Sequence, residues 1–175
     1  MIRRSPGFTM IEVLVSMLVL GTGAMAMIML QLQALRSSRD NALQSRAVMM
    51  AVELAELRSE YRAAGSPGED PYLLEFEAGG NAPGQGDCSN VRCAPQTFAR
   101  EAIAGWLTRL SNDFPDARVA VCRDSRAPAT VAGDWACTAG GTGPVYIKLG
   151  WRGAPRFDTG GAPVERPQLA MFIGY

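Results

Sequence analysis

Eighteen residues in a row without a charge, Val13 to Leu30, stand close to the start of this 175-residue chain. A helix that crosses a bilayer needs about 20 apolar residues, and 18 is near the shortest that works. The run therefore sets an anchor apart from whatever follows it. Hydrophobic residues are 47% of the chain, an ordinary globular share, but they are spread unevenly. Two readings of the amino terminus compete. A secretory signal peptide has a basic start, a core of roughly 7–15 apolar residues and then a small-residue cleavage site. Here the apolar stretch reaches from Phe8 to Leu30 and runs straight on into helix-compatible sequence, with no evident A-x-A site and break. A membrane anchor fits better. Arg3 and Arg4 then stay in the cytoplasm by the positive-inside rule, and everything after residue 30 lies outside.

The cysteines agree with that orientation. All four lie beyond residue 87. An even number confined to one part of a chain suggests two disulfides and an oxidising compartment. Three pairings are possible. The preferred one is Cys88 with Cys93 and Cys122 with Cys137, because each closes a local loop rich in turn formers. Zinc is the competing use, since Cys88 and Cys93 enclose four residues, but the chain has no His. The missing His also removes the commonest general base and the partner of a catalytic Cys. Only one Lys, Lys148, occurs, and no phosphate-binding loop is present. No catalytic residue, cofactor or metal is expected. Net charge is zero, and beyond Gly65 ten basic residues face twelve acidic ones. A duplex-binding surface shows the opposite balance, so nucleic acid is not an expected partner.

Glu12 is the one charge in the apolar stretch. A carboxylate in a bilayer helix costs a few kcal/mol at the centre and less near an end. Glu12 stands about 6 Å along a helix from Phe8, so one reading is that it simply reaches the interface. The other reading needs a partner cation. Cutting the chain just before Phe8 would create one, an amino group one turn from Glu12, on the same chain or on a neighbour.

These residues, "GFTMIEVLVSMLVLGTGAMAM" after a short basic leader ending in Gly7, resemble the class III signal of type IV pilins and pseudopilins. The resemblance implies cleavage between Gly7 and Phe8 by a prepilin peptidase and N-methylation of Phe8. It makes Glu12 the acidic residue associated with subunit addition, by neutralising a neighbour's amino terminus. Met10 stands where Leu is commoner. No Pro occurs between Pro6 and Pro67, so a kink in the first helix is either absent or supplied by Gly21 and Gly23.

Beyond the apolar stretch, Leu43, Ala47, Met50, Leu54, Leu57 and Tyr61 recur at helical spacing, with Arg46, Glu53, Glu56, Arg58, Glu60 and Arg62 on the opposite side. One helix from Phe8 to Ala63 is predicted, roughly 80 Å long and stopped by Gly65-Ser66-Pro67-Gly68. The boundaries are then 1–7 leader, 8–30 membrane half, 31–63 amphipathic half and 64–175 head. The head reads as α+β. "YLLEFEA" is a short strand or a connector, and "GGNAPGQGDCSNVRC" is a loop. Pro95 opens a helix carrying Phe98, Ala102, Trp106, Leu110 and Phe114 at intervals of four, with Ile103 and Leu107 beside them. "RVAVCR" is a strand with Val119 and Val121 on one face. "VYIKLGW" points Val145, Ile147, Leu149 and Trp151 inward and Tyr146 and Lys148 outward, and "QLAMFIGY" is the last strand. Trp106 and Trp151 read as core residues. An antiparallel sheet with one extra helix, resting on the long helix, is the type IV pilin fold.

The segment from Cys88 to Arg123 also resembles the PilV group of minor pilins (the type IV pilus modification proteins). There a close cysteine pair leads into a helix with a Trp and then a strand containing Cys. The two resemblances imply a minor pilin of the bacterial inner membrane, with its amino terminus cytoplasmic and its head periplasmic. Its role would be in a tip or priming complex. Its implied partners are other minor pilins, the major pilin, the inner-membrane assembly platform and the prepilin peptidase. The alternatives are a minor pseudopilin of type II secretion, which shares the signal, and a tip adhesin.

Overall fold

The structure, a computed structural model, describes residues 7, 9–65, 68–80, 88, 92–138, 141, 143–153 and 166–175. Its elements are α1 (Met10–Ala63), β1 (Leu74–Glu77), α2 (Pro95–Asp113), β2 (Arg118–Arg123), α3 (Pro128–Val131), β3 (Val145–Gly150) and β4 (Leu169–Gly174). The chain forms two compact units, Met1–Ala42 and Leu43–Tyr175, and α1 supplies residues to both. The helix is set up by the Thr9 carbonyl, which accepts from the Glu12 and Val13 amides at 3.1 and 3.3 Å. It stops at Gly65, whose φ of +63° is the left-handed turn that glycine takes without strain.

In the second unit the strands lie in the order β1-β2-β3-β4, each antiparallel to its neighbour. Register puts Phe76 opposite Val119 and Val121 opposite Ile147. Side chains alternate along a strand, so Phe76, Val119, Val121, Ile147 and Leu149 share one face, and all are buried. That face packs with Ala47, Met50, Ala51 and Leu54 of α1 and with Ile103, Trp106, Leu107 and Leu110 of α2 in a single core. Trp106 is fully buried, and its indole N–H donates to the Met50 carbonyl at 3.0 Å, tying α2 to α1. On the rim, Arg46 pairs with Asp113 at 3.4 Å and Arg109 pairs with Glu53. A long amino-terminal helix, packed over Leu43–Ala63 on a small antiparallel sheet with further helices, is the type IV pilin fold expected from the sequence.

Four details differ from expectation. Phe98 is 60% exposed, and the buried line on α2 is Ala99, Ile103, Trp106, Leu107 and Leu110. A strict spacing of four drifts about 40° per step around a 3.6-residue helix, so a residue at one end of such a row leaves the core face. Lys148 faces away from the core as predicted, yet it is fully buried. Arg58, placed by its spacing on the polar side of α1, is only 2% exposed; it stands four residues after Leu54 and shares its face. The head also has α3, a single turn besides the one extra helix expected. Trp151 is half-buried and packs on the core edge, 5.0 Å from the Phe114 ring. The loop residues 81–87 and 89–91 lie outside the described residues.

Candidate functional site

Two places combine unusual residues: the start of α1 and the polar face of the sheet. At the start of α1, every described residue from Gly7 to Ala42 is exposed, including Met10, Ile11 and Leu20 at 70% or more. A helix that is apolar all round is stable only when lipid or other helices cover it. By length and composition it is able to cross a membrane, the one such helix among the described residues. Gly7 is described and exposed, whereas residues 1–6 and Phe8 lie outside the described residues, so the cleavage and methylation position is placed by sequence alone. Glu12 sits in the first turn of α1 and is exposed there. Its backbone carbonyl accepts a hydrogen bond from the Ser16 hydroxyl at 2.6 Å, and Thr22 does the same to Leu18 at 3.0 Å. Hydroxyls that bond back four residues are hidden from hydrocarbon. Glu12 is thereby left as the strong polar group among the described residues up to Leu30.

Residues 2–28 match the prokaryotic N-terminal methylation motif. The match supports a type IV pilin-like protein. The match covers the basic leader, Gly7, Phe8, Glu12 and most of the apolar stretch, and it points to a structural protein rather than an enzyme. With the apolar helix it supports an inner-membrane-anchored component of a pilus or pseudopilus, processed by a prepilin peptidase. No curated protein and no solved structure matches the chain.

In the pilin-like head, Cys88 is bonded to Cys93 and Cys122 to Cys137, with Cα atoms 5.6 and 6.1 Å apart. This is the local pairing, and it leaves no thiolate for zinc among these four. The first bridge is tethered to α2, where the Glu101 carboxylate accepts from the Cys88 amide at 3.1 Å. The second joins β2 to the connection between β2 and β3. The first part of that connection, residues 124–138, covers the outer face of the sheet over Ala120 and Lys148.

The cover is held by charges. Lys148 Nζ donates to Asp124 Oδ2 at 2.9 Å and to the Ala136 carbonyl at 2.6 Å. Asp124, also fully buried, accepts from Arg126 Nε at 2.9 Å and Nη2 at 2.7 Å, and from the Thr138 hydroxyl at 3.0 Å. Arg126 in turn reaches Asp134 at 2.8 Å. The Arg126 hydrogen bonds, with those from Lys148 and Thr138, hold the Asp124 carboxyl well below the usual carboxylate range against the opposing effect of burial. Asp134 is lowered first by the Ala136 amide and then by Arg126. Trp135 closes the cover by lying over the Arg118 guanidinium, 4.5 Å from it, and against Gly150. A Cβ on Gly150 would come within 2.7 Å of the Trp135 ring, so a larger residue there would have to displace the ring. Sequence reasoning missed this cluster. The one available signal was that the only Lys of the chain lies inside its clearest strand.

Proposed function

We propose that the chain is a minor pilin that takes part in type IV pilus assembly, in a tip or priming complex, and is of the PilV kind. The observation that carries this reading is the methylation motif over residues 2–28, continued by an exposed apolar helix and a pilin-like head. In this reading residues 1–7 are a leader cut from Phe8, and Phe8 is then N-methylated. Residues 8–30 hold the protein in the bacterial inner membrane, with the amino terminus cytoplasmic. Residues 31–63 carry the helix into the head, 64–175, on the periplasmic side, where both disulfides form. Its partners are other minor pilins, the major pilin and the assembly platform. Glu12 is the assembly residue: a carboxylate in an apolar setting is tolerable when paired and costly when alone.

The choice of pilus over type II secretion rests on the head. Cys88 and Cys93 lead into a helix with Trp106, followed by a strand with Cys122, as in the PilV resemblance. Detergent-solubilised protein should co-elute with pilus minor pilins and appear in sheared pilus fractions. Co-elution with the pseudopilins instead would assign it to secretion. Intact-mass and amino-terminal analysis should find methyl-Phe8; a mature chain beginning at Met1, or beyond residue 20, ends the pilin reading.

A further inference from the structure

Contacts other than the Cys122–Cys137 bridge tie down the same segment. Both chain neighbours of Cys137 are also held by contacts to other residues. On one side the Ala136 carbonyl takes hydrogen bonds from Lys148 and Arg126. On the other, the Thr138 amide donates to the Arg123 carbonyl at 3.2 Å, and the Thr138 hydroxyl donates to Asp124. Arg123 and Asp124 directly follow Cys122. Lys148 and Asp124, at the centre of these contacts, are both fully buried. With the cover seated, each charge answers the other, and removing either one alone leaves its partner buried and unpaired.

We propose that Lys148 and Asp124 are positioning residues for the Cys122–Cys137 disulfide. In the reduced chain they hold the cover in place, so the two thiols already face each other before oxidation. Closure then follows ordinary exchange with a disulfide oxidant such as oxidised glutathione. One cysteine thiolate attacks the oxidant to give a mixed disulfide and release one thiol. The second cysteine thiolate displaces the other half, and the oxidant leaves as two thiols. Two thiols free to move at the ends of a flexible loop meet at an effective concentration in the millimolar range, whereas pre-ordered ones exceed it. On this view the bridge locks a cover that is already seated.

The test uses full-length, detergent-solubilised protein. It is equilibrated in glutathione buffers, and the Cys122–Cys137 bond is read by peptide mapping. The wild type should show an effective concentration at least about tenfold above the flexible-loop value, and Lys148→Met should fall back towards that value. Equal values for the two overturn the proposal. If Lys148→Met does not fold, Thr138→Val takes its place and should shift the value in the same direction. A second arm needs neither variant. Lys148 is the only Lys, so acetylation of its amine reports directly on the cover. In Cys122→Ala/Cys137→Ala, Lys148 should stay protected to within about twofold of wild type. Labelling as fast as in denaturant would show that the bridge holds the cover, and would overturn the proposal.

Discussion

Two positions on α1 set a charge among apolar neighbours and treat it differently. Glu12 stands in an exposed stretch with no other charge. Arg58 stands on the packed face of Leu43–Ala63 and is only 2% exposed. Each guanidinium nitrogen of Arg58 has a partner inside the head: Nε donates to Asp70 at 2.8 Å, Nη1 to the Ile173 carbonyl at 3.3 Å and Nη2 to the Tyr175 carbonyl at 3.2 Å. Its three partners fix α1 to the segment before β1 and to the end of β4. The comparison teaches that a charge on an apolar helix face marks the place where another element must arrive. For Arg58 that element belongs to the same chain. For Glu12 the proposed function supplies it from a neighbouring subunit.

The largest expected effect comes from removing the Glu12 charge. Glutamine keeps the size and helix propensity of glutamate, and insertion should become easier. Cleavage, membrane level and head folding should therefore be unchanged in Glu12→Gln. Entry into pili should fall by about two or more powers of ten, because an unpaired buried charge costs roughly 3–5 kcal/mol. A subunit at the extreme tip has fewer neighbours to pair with, and the defect is then smaller. The measurement is the amount of protein in sheared pilus fractions at matched membrane levels. Equal incorporation would break the comparison and leave Glu12 as a carboxylate that only reaches the interface.

Arg58→Ala is the matching experiment in the head. It strands Asp70, which is 13% exposed, and frees two carbonyls near the end of β4. The expected loss is about 3–5 kcal/mol of head stability, with no direct effect on processing. Thermal unfolding of the solubilised protein measures it. A loss no larger than that of an exposed pair, about 1 kcal/mol or less, would mean that Arg58 is not the anchor described.

Arg58 and Lys148 also show where reading the sequence stops. The strands, the start and end of α2 and the end of α1 follow from local signals: alternation, Pro95, and the glycine after Ala63. Burial of a charged side chain does not, because it depends on partners brought together by the fold. Asp70 lies twelve residues from Arg58, and the Ile173 carbonyl lies 115 residues away. Asp124 lies 24 residues from Lys148 and reaches it only because the cover folds back over β3. Alternation correctly gave Lys148 the outer face, but it carried no information that this face has a roof. The signal at residues 2–28 was legible for the opposite reason: its pattern lies in one continuous segment and needs no partner from elsewhere in the fold.

The cover gives a test in acid. Asp124 has a depressed carboxyl pKa, so the folded state binds its proton later than the unfolded chain does. Its contribution to stability is complete above the ordinary carboxylate value of about 3.9, and is lost as pH falls from there towards the folded value. The wild-type head should therefore lose stability below about pH 4 more steeply than Asp124→Asn, by a slope approaching about one proton. The variant should be the less stable of the two at neutral pH, since Lys148 loses its counter-charge. Melting temperatures from pH 6 to pH 2 decide this. Parallel curves would mean that Asp124 does not carry the acid sensitivity.

The smallest effect concerns Tyr61, which follows Arg58 by about one turn and lies on the same packed side of α1. Its hydroxyl is buried without a hydrogen-bond partner among the described residues. The residue is 9% exposed, and its ring packs 5.9 Å from the ring of Tyr72. A buried hydroxyl with no partner carries a desolvation penalty of about 1–3 kcal/mol, whereas the ring contributes by area alone. Tyr61→Phe keeps the ring and deletes the unmet group. Stability should be unchanged or higher by up to about 1 kcal/mol, in contrast to the large loss expected at nearby Arg58. A fall in melting temperature would show that the Tyr61 hydroxyl does have a partner in the folded head, and that this part of α1 holds a second polar anchor beside Arg58.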